Sequence, residues 1–198
     1  LFSGTVQAQQ DPLYSQYMFN TLAVNPAYAG SADVFTALLL SRHQWVGFAG
    51  APSTQTLVAH TPLPKQNMAV GFSLLADKIG PTRQTGIYGD YAYRIRTSDE
   101  THLSFGLKGG VNLYQADLAS LTTVDPDAAN VNVSSKAMPN FGFGLFWHSP
   151  HYYVGLSLPK LMQNEVDAGA TMALAPERRH LFLIAGYVLD LNRSLRFK

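Results

Sequence analysis

The chain has 198 residues and is 46% hydrophobic but only 14% charged, against roughly 25% charged in ordinary soluble domains. A formal net charge of +1 supplies neither a polybasic membrane patch nor the footprint of a nucleic-acid binder, so no nucleic acid is expected as a partner. The lack of cysteine removes disulfides, thiolate nucleophiles and Cys-based metal sites.

No run approaches the roughly 18 consecutive apolar residues of a spanning helix. The first residues, Leu1-Phe2-Ser3-Gly4-Thr5-Val6-Gln7-Ala8, read as the remnant of an export signal (1–8), with Val6 and Ala8 at the small-residue spacing of a cleavage site. A mature chain is then expected from Gln9. Residues 9–32 do not alternate cleanly. Tyr14, Tyr17, Met18, Phe19 and Leu22 would share one side of a short helix or irregular plug, and Asn25-Pro26-Ala27-Tyr28-Ala29-Gly30 is a turn with a breaker pair and a permissive glycine. This arm or plug is expected to pack against a barrel interior or its periplasmic mouth. An arm ordered only by its aromatic residues is the alternative.

From residue 33 onward strands are expected. The first spans 34–45, with Trp45 as a candidate girdle residue. Others follow at 54–61, 67–77, 84–96 and 101–115. In 68–76, 103–113 and 181–191 large apolar residues alternate with small or polar ones at a period of two, the pattern of a strand wetted by different media on its two faces. In 103–113 one register is Leu103, Phe105, Leu107, Val111 and Leu113, and the other includes Lys108 and Asn112. The first register is expected to face lipid and the second a polar lumen. Asp90, Arg94 and Lys108 are expected to face that lumen, where mutual pairing lowers the cost of partial burial.

A long Asp/Asn/Ser-rich connection is expected at 116–137. It carries Asp125, Asp127, Asn130 and Asn132, oxygens that suit calcium, but without an EF-hand's turn glycine and terminal Glu. Strands resume at 141–147 and 152–158, with a Gly-rich inward face that leaves room in the lumen. A short helical piece is expected near 161–164, then a strand at 181–191 and a last one begun at Ser194. About nine strands can be drawn. The fold class is all-β: an antiparallel transmembrane β-barrel over 33–198, with C-terminal strands expected beyond this chain. A soluble β-sandwich also alternates and is the competing architecture.

Enzymatic signatures are absent: there is no GxSxG, HExxH, Walker loop or dinucleotide fingerprint. His43, His60, His102 and His148 are the histidines from which a rim triad with Ser and Asp would have to be built, and no motif places them. His148 and His151 have a spacing compatible with metal ligation on a helix, but Pro150 favours a turn. No enzyme, metal or cofactor is expected.

The phrases Gln9-Gln10-Asp11-Pro12-Leu13-Tyr14-Ser15-Gln16-Tyr17-Met18-Phe19-Asn20, Asn25-Pro26-Ala27-Tyr28-Ala29-Gly30 and Arg42-His43-Gln44-Trp45-Val46-Gly47 closely resemble the PorP/SprF family of type IX secretion membrane proteins from the Bacteroidota. Gly50-Ala51-Pro52-Ser53-Thr54-Gln55-Thr56, His60-Thr61-Pro62-Leu63, Asp77-Lys78-Ile79-Gly80-Pro81 and Phe105-Gly106-Leu107-Lys108-Gly109-Gly110 match in the same order. Together they cover roughly the first 115 residues. The resemblance implies a barrel of the bacterial outer membrane, in contact with its lipid, that works with the type IX export and gliding machinery. It also implies partners among cargo proteins with a C-terminal sorting domain, such as adhesins, and among periplasmic or outer-membrane secretion components. The matched positions expected at the arm and barrel mouth are Tyr14, Gln16, Tyr17, Phe19, Asn20, Asn25, Pro26, Tyr28, Gly30, Arg42, Gln44, Trp45, Gly47, Pro52, His60, Pro62, Asp77 and Gly80. A passive pore or solute channel is the alternative function.

Overall fold

The computed structural model describes residues 20–64, 66–117, 133–162, 166–167, 173–174, 179–192 and 195–197. A single helical turn, α1 (Thr21–Val24), runs into a 3-10 turn, η1 (Pro26–Tyr28), and strands follow. These are β1 (Thr36–His43), β2 (Ser53–Pro62), β3 (Met68–Ile79), β4 (Thr82–Arg96), β5 (His102–Ala116), β6 (Val133–His148) and β7 (Tyr152–Leu158). Two short strands, β8 (Val166–Asp167) and β9 (Ala173–Leu174), pair with each other, and β10 (Phe182–Tyr187), β11 (Leu189–Asn192) and β12 (Leu195–Phe197) complete the order.

One antiparallel sheet holds eight strands in the order β1-β2-β3-β4-β5-β6-β7-β10, while β11 pairs only with β12. No helix among the described residues is long and apolar enough to cross a membrane. The ladder explains why the two-residue period was so clear. Met68, Tyr93, Phe105, Leu145, Leu156 and Leu183 are successive cross-strand partners on one face, and so are Val70, Tyr91, Leu107, Phe143 and Leu158 one row along. Large apolar side chains therefore form continuous outward rows. On the opposite face Lys108, Ser104, Asn112, Asn140 and Ser157 are buried.

The curvature of the sheet follows from one side chain. Tyr28 lies 5.6 Å from His60 of β2 and 5.4 Å from Phe146 of β6, centroid to centroid, although four strand spacings in a flat sheet are roughly 19 Å. The strands must curl toward each other around Tyr28. The result is a half-barrel whose concave side holds α1 and η1, consistent with an incomplete β-barrel.

The connections differ at the two ends. Turns 63–67, 97–101 and 149–151 are short and lie at the end where the chain enters β1, since Thr36 pairs with His60 next to the close of β2. The other end carries loop 44–52, the tight turn at Gly80-Pro81, and the chain leaving β5 and β7. Gly80 has φ 56° and is followed by a proline whose ring fixes a negative φ, the sign pattern of a type II′ hairpin.

Several boundaries differ from the sequence reading. Residues 133–137, read as loop, belong to β6, which pairs Ala137 with Leu113 and Lys136 with Tyr114; cross-strand partners extend a segment that has no periodicity of its own. The strand expected at 181–191 breaks at Val188, whose N–H bonds to His151 O, into β10 and β11. Of the helical piece expected at 161–164, Leu161 and Met162 are not helical, and 163–164 lie outside the described residues. Leu161 and Met162 turn along β6 instead, with Leu161 N–H donating to Phe141 O at 2.8 Å. Most of the 116–137 connection, with Asp125, Asp127, Asn130 and Asn132, lies outside the described residues, as do 1–19.

Candidate functional site

The concave face is occupied by residues 20–33, and the contacts that hold them begin with an unmet demand of the backbone. A four-residue helix satisfies almost none of its own carbonyls. In α1 only Thr21 O is met locally, by Asn25 N–H at 2.9 Å. Lys108 of β5 donates to Leu22 O at 3.1 Å and Ala23 O at 3.2 Å, and Ser157 of β7 donates to Val24 O at 2.6 Å. The barrel wall thus completes the helix.

Asn25 works in both directions. Its Oδ1 accepts from Ala27 N–H at 3.0 Å, capping η1, while its Nδ2 donates to Leu145 O of β6 at 2.9 Å. Gly30 N–H donates to His60 Nδ1 at 3.1 Å. Arg94 of β4 donates to Gly30 O and pairs with Asp33. Apolar packing closes the rest: Leu22 and Ala29 meet Val58, Ala69 and Ala92, and Ala27 meets Phe146 and Ile184.

Glycines make this docking sterically possible. A Cβ on Gly106 would strike the backbone of Pro26 and Ala27, and one on Gly144 would strike the Asn25 carboxamide. A Cβ on Gly71 would lie 3.0 Å from Leu22, and one on Gly155 would lie 2.9 Å from Asn25 Nδ2. The room expected from a Gly-rich inner face is therefore present but taken up by the chain itself. Farther along, Gly142 lies under Pro159, and Asn140 fixes the inward turn by accepting from Leu161 N–H at 3.0 Å and Met162 N–H at 3.2 Å.

Of the three charged residues assigned to the lumen, Asp90 and Lys108 are direct cross-strand partners, 3.3 Å apart and each only 5% exposed. Lys108 also lies over the Tyr88 ring. Arg94 does not join them. It sits nearer the short-turn end of β4 and serves the chain at Gly30 and Asp33, because four residues along a strand are roughly 13 Å.

The positions matched to arm and mouth divide into two groups at opposite ends of the strands. Asn20, Asn25, Pro26, Tyr28 and Gly30 are in the inner segment, with His60 and Pro62 beneath Gly30. Arg42, Gln44, Trp45, Gly47, Pro52, Asp77 and Gly80 surround the opposite rim. There Gln44 N–H donates to Pro52 O at 3.0 Å, closing the β1–β2 loop, and Gly80 N–H donates to Gly50 O at 2.9 Å, joining that loop to the β3–β4 turn. Trp45 lies in this loop beyond the strand, 72% exposed with φ 50°. Thr54 donates to Asp77. Tyr14, Gln16, Tyr17 and Phe19 lie outside the described residues.

The histidines are scattered. His102 and His148 stack at 5.6 Å at the short-turn end, and His43 sits between Ser41 Oγ at 3.1 Å and Ser53 Oγ at 3.2 Å on the outer face of the rim. Among the described residues no carboxylate bonds to the His43 ring. Among the described residues no group of three or more His, Cys, Asp or Glu side chains is arranged to hold a metal ion. Ser157 and Asn140, which fix the two inward segments, were not singled out in advance. Their signal was position alone, a polar residue on the inward register.

A family model, type IX secretion system membrane protein PorP/SprF, matches residues 6–198. No curated protein and no solved structure matches the chain.

Proposed function

The chain belongs to the PorP/SprF family of type IX secretion system membrane proteins, and from that premise we propose that it is an outer-membrane component which binds sorting-domain cargo, such as adhesins, and anchors it or assists its export. The observation that carries the reading is the filled concave face. Lys108, Ser157, Asn25 and His60 hold residues 20–33 where a translocating or docked domain would otherwise pass. Cargo then binds at the rim, through loop 44–52 and the connection that follows β5, since surface loops on a rigid scaffold are suited to recognition. Periplasmic turns of such barrels are short and extracellular loops longer, which supports an outward position for that rim. The role is non-enzymatic, since it needs only positioning and binding.

Periplasmic or other outer-membrane secretion components are the second class of partner, and gliding is the process such anchoring would serve. The test is deletion of the gene, with sorting-domain proteins followed at the cell surface and in the medium. Cargo lost from the surface, with the protein recovered in pull-downs of cargo or secretion machinery, is the expected result. Normal export and attachment, with no such recovery, would refute it and bring the pore reading forward.

A further inference from the structure

Outward-facing rows change character toward the rim. The row Leu39, Leu57, Leu74, Ile87 and Val111 is wholly apolar. Two residues along each strand lie Ser41, Gln55, Ala76, Thr85 and Leu113, and two further on lie His43, Ser53, Lys78, Arg83 and Gln115. Lys78 and Arg83 are exposed and stand directly opposite each other in the ladder. Like charges in that position repel. No ion pair among the described residues involves either of them. Asp77, next in sequence to Lys78, is buried on the other face with Thr54.

We propose that Lys78 and Arg83, flanked by Ser53 and Gln115, form a binding site for the phosphate group of an anionic membrane lipid. The inference rests on the barrel reading of the outer face, since it takes the apolar rows as the hydrocarbon level. A basic side chain costs most at the bilayer midplane and little at its edge, so a basic pair two rows beyond the wholly apolar one, past the mixed row of Ser41, Gln55, Ala76, Thr85 and Leu113, lies at headgroup depth. A phosphate there neutralises the opposed pair. Arg offers a two-pronged donor and Lys a point charge, while the Ser53 hydroxyl opposite Lys78 and the Gln115 amide opposite Arg83 supply further hydrogen bonds. A lipid is favoured over a soluble anion because the same face carries the wholly apolar row Leu39, Leu57, Leu74, Ile87 and Val111 for acyl chains to cover.

The experiment uses the full chain folded in detergent micelles, with bound lipid counted by native mass spectrometry. The probes are diphosphorylated lipid A, its dephosphorylated counterpart and inorganic phosphate. The wild type should retain the phosphorylated lipid about tenfold more strongly than the dephosphorylated one. The double variant Lys78→Gln/Arg83→Gln should lose this preference, while Lys78→Arg/Arg83→Lys keeps it. Equal retention of both lipids by the wild type would overturn the proposal, and needs no variant to fold. Preference preserved in the Gln variant would also overturn it, as would displacement of the lipid by millimolar inorganic phosphate. Folding of each protein is read from its migration on semi-native gels. That readout separates failure of the lipid site from failure of the barrel reading.

Discussion

At the residue scale the buried pair Asp90–Lys108 ties the wall to the inner segment. Lys108 answers a carboxylate and two helix carbonyls at once, so its removal leaves a buried charge and unmet acceptors together. Lys108→Met should destabilise the folded barrel by about 3–5 kcal/mol, the usual result of breaking a buried pair from one side. Adding Asp90→Asn should recover part of the loss, because the uncompensated charge goes with it. Urea unfolding in lipid vesicles, followed by intrinsic fluorescence, measures both; equal stability of wild type and Lys108→Met would contradict the pairing. Ser157→Ala, which removes one donor to Val24 O, should cost about 1–2 kcal/mol, since it leaves a buried carbonyl unmet.

Among the elements, η1 and β5 are bound by steric fit rather than by any special sequence of their own. Gly106→Val places a side chain where the backbone of Ala27 runs. The expected outcome is a barrel that folds with residues 20–33 expelled, seen as rapid proteolysis within that segment while the strands stay protected. Unchanged protection of 20–33 would mean that the inner segment does not depend on this contact. The outer face gives a second prediction for β5. Leu107→Arg should cost about 2–4 kcal/mol and impair insertion into vesicles, whereas Gln115→Arg, at the rim, should cost only about 0–1. A spin label at Phe105 should be quenched by lipid-soluble reagents and not by water-soluble ones, and the reverse would contradict the outward placement of this register.

For the molecule as a whole, the filled concave face predicts low conductance. The wild type in planar bilayers should be nearly silent. A variant combining Lys108→Met, Ser157→Ala and Gly106→Val, which loses three anchors of the inner segment, should conduct if it still inserts. Large cargo-independent currents through the wild type would favour the channel reading over anchoring.

What the sequence alone determined is what depends on local period and on contact with two media. The strands β2 to β5 and β7, the outward row containing Phe105 and Leu107, and the inward placement of Lys108 and Asn112 were legible because alternation is a property of neighbouring residues. The turn at 25–30 was legible from its breakers. Tertiary structure decided the rest. Nothing in Lys108 or Ser157 announces that they finish a helix more than 80 residues away, because an unmet carbonyl has no sequence signature and its donor comes from whichever strand the curl brings near. Arg94 was grouped with Asp90 by charge, but distance along the strand separates them. Likewise the inward glycines read as open space, and only the folded chain shows that the space is filled by residues 20–33, since a missing Cβ permits a close approach without saying what approaches.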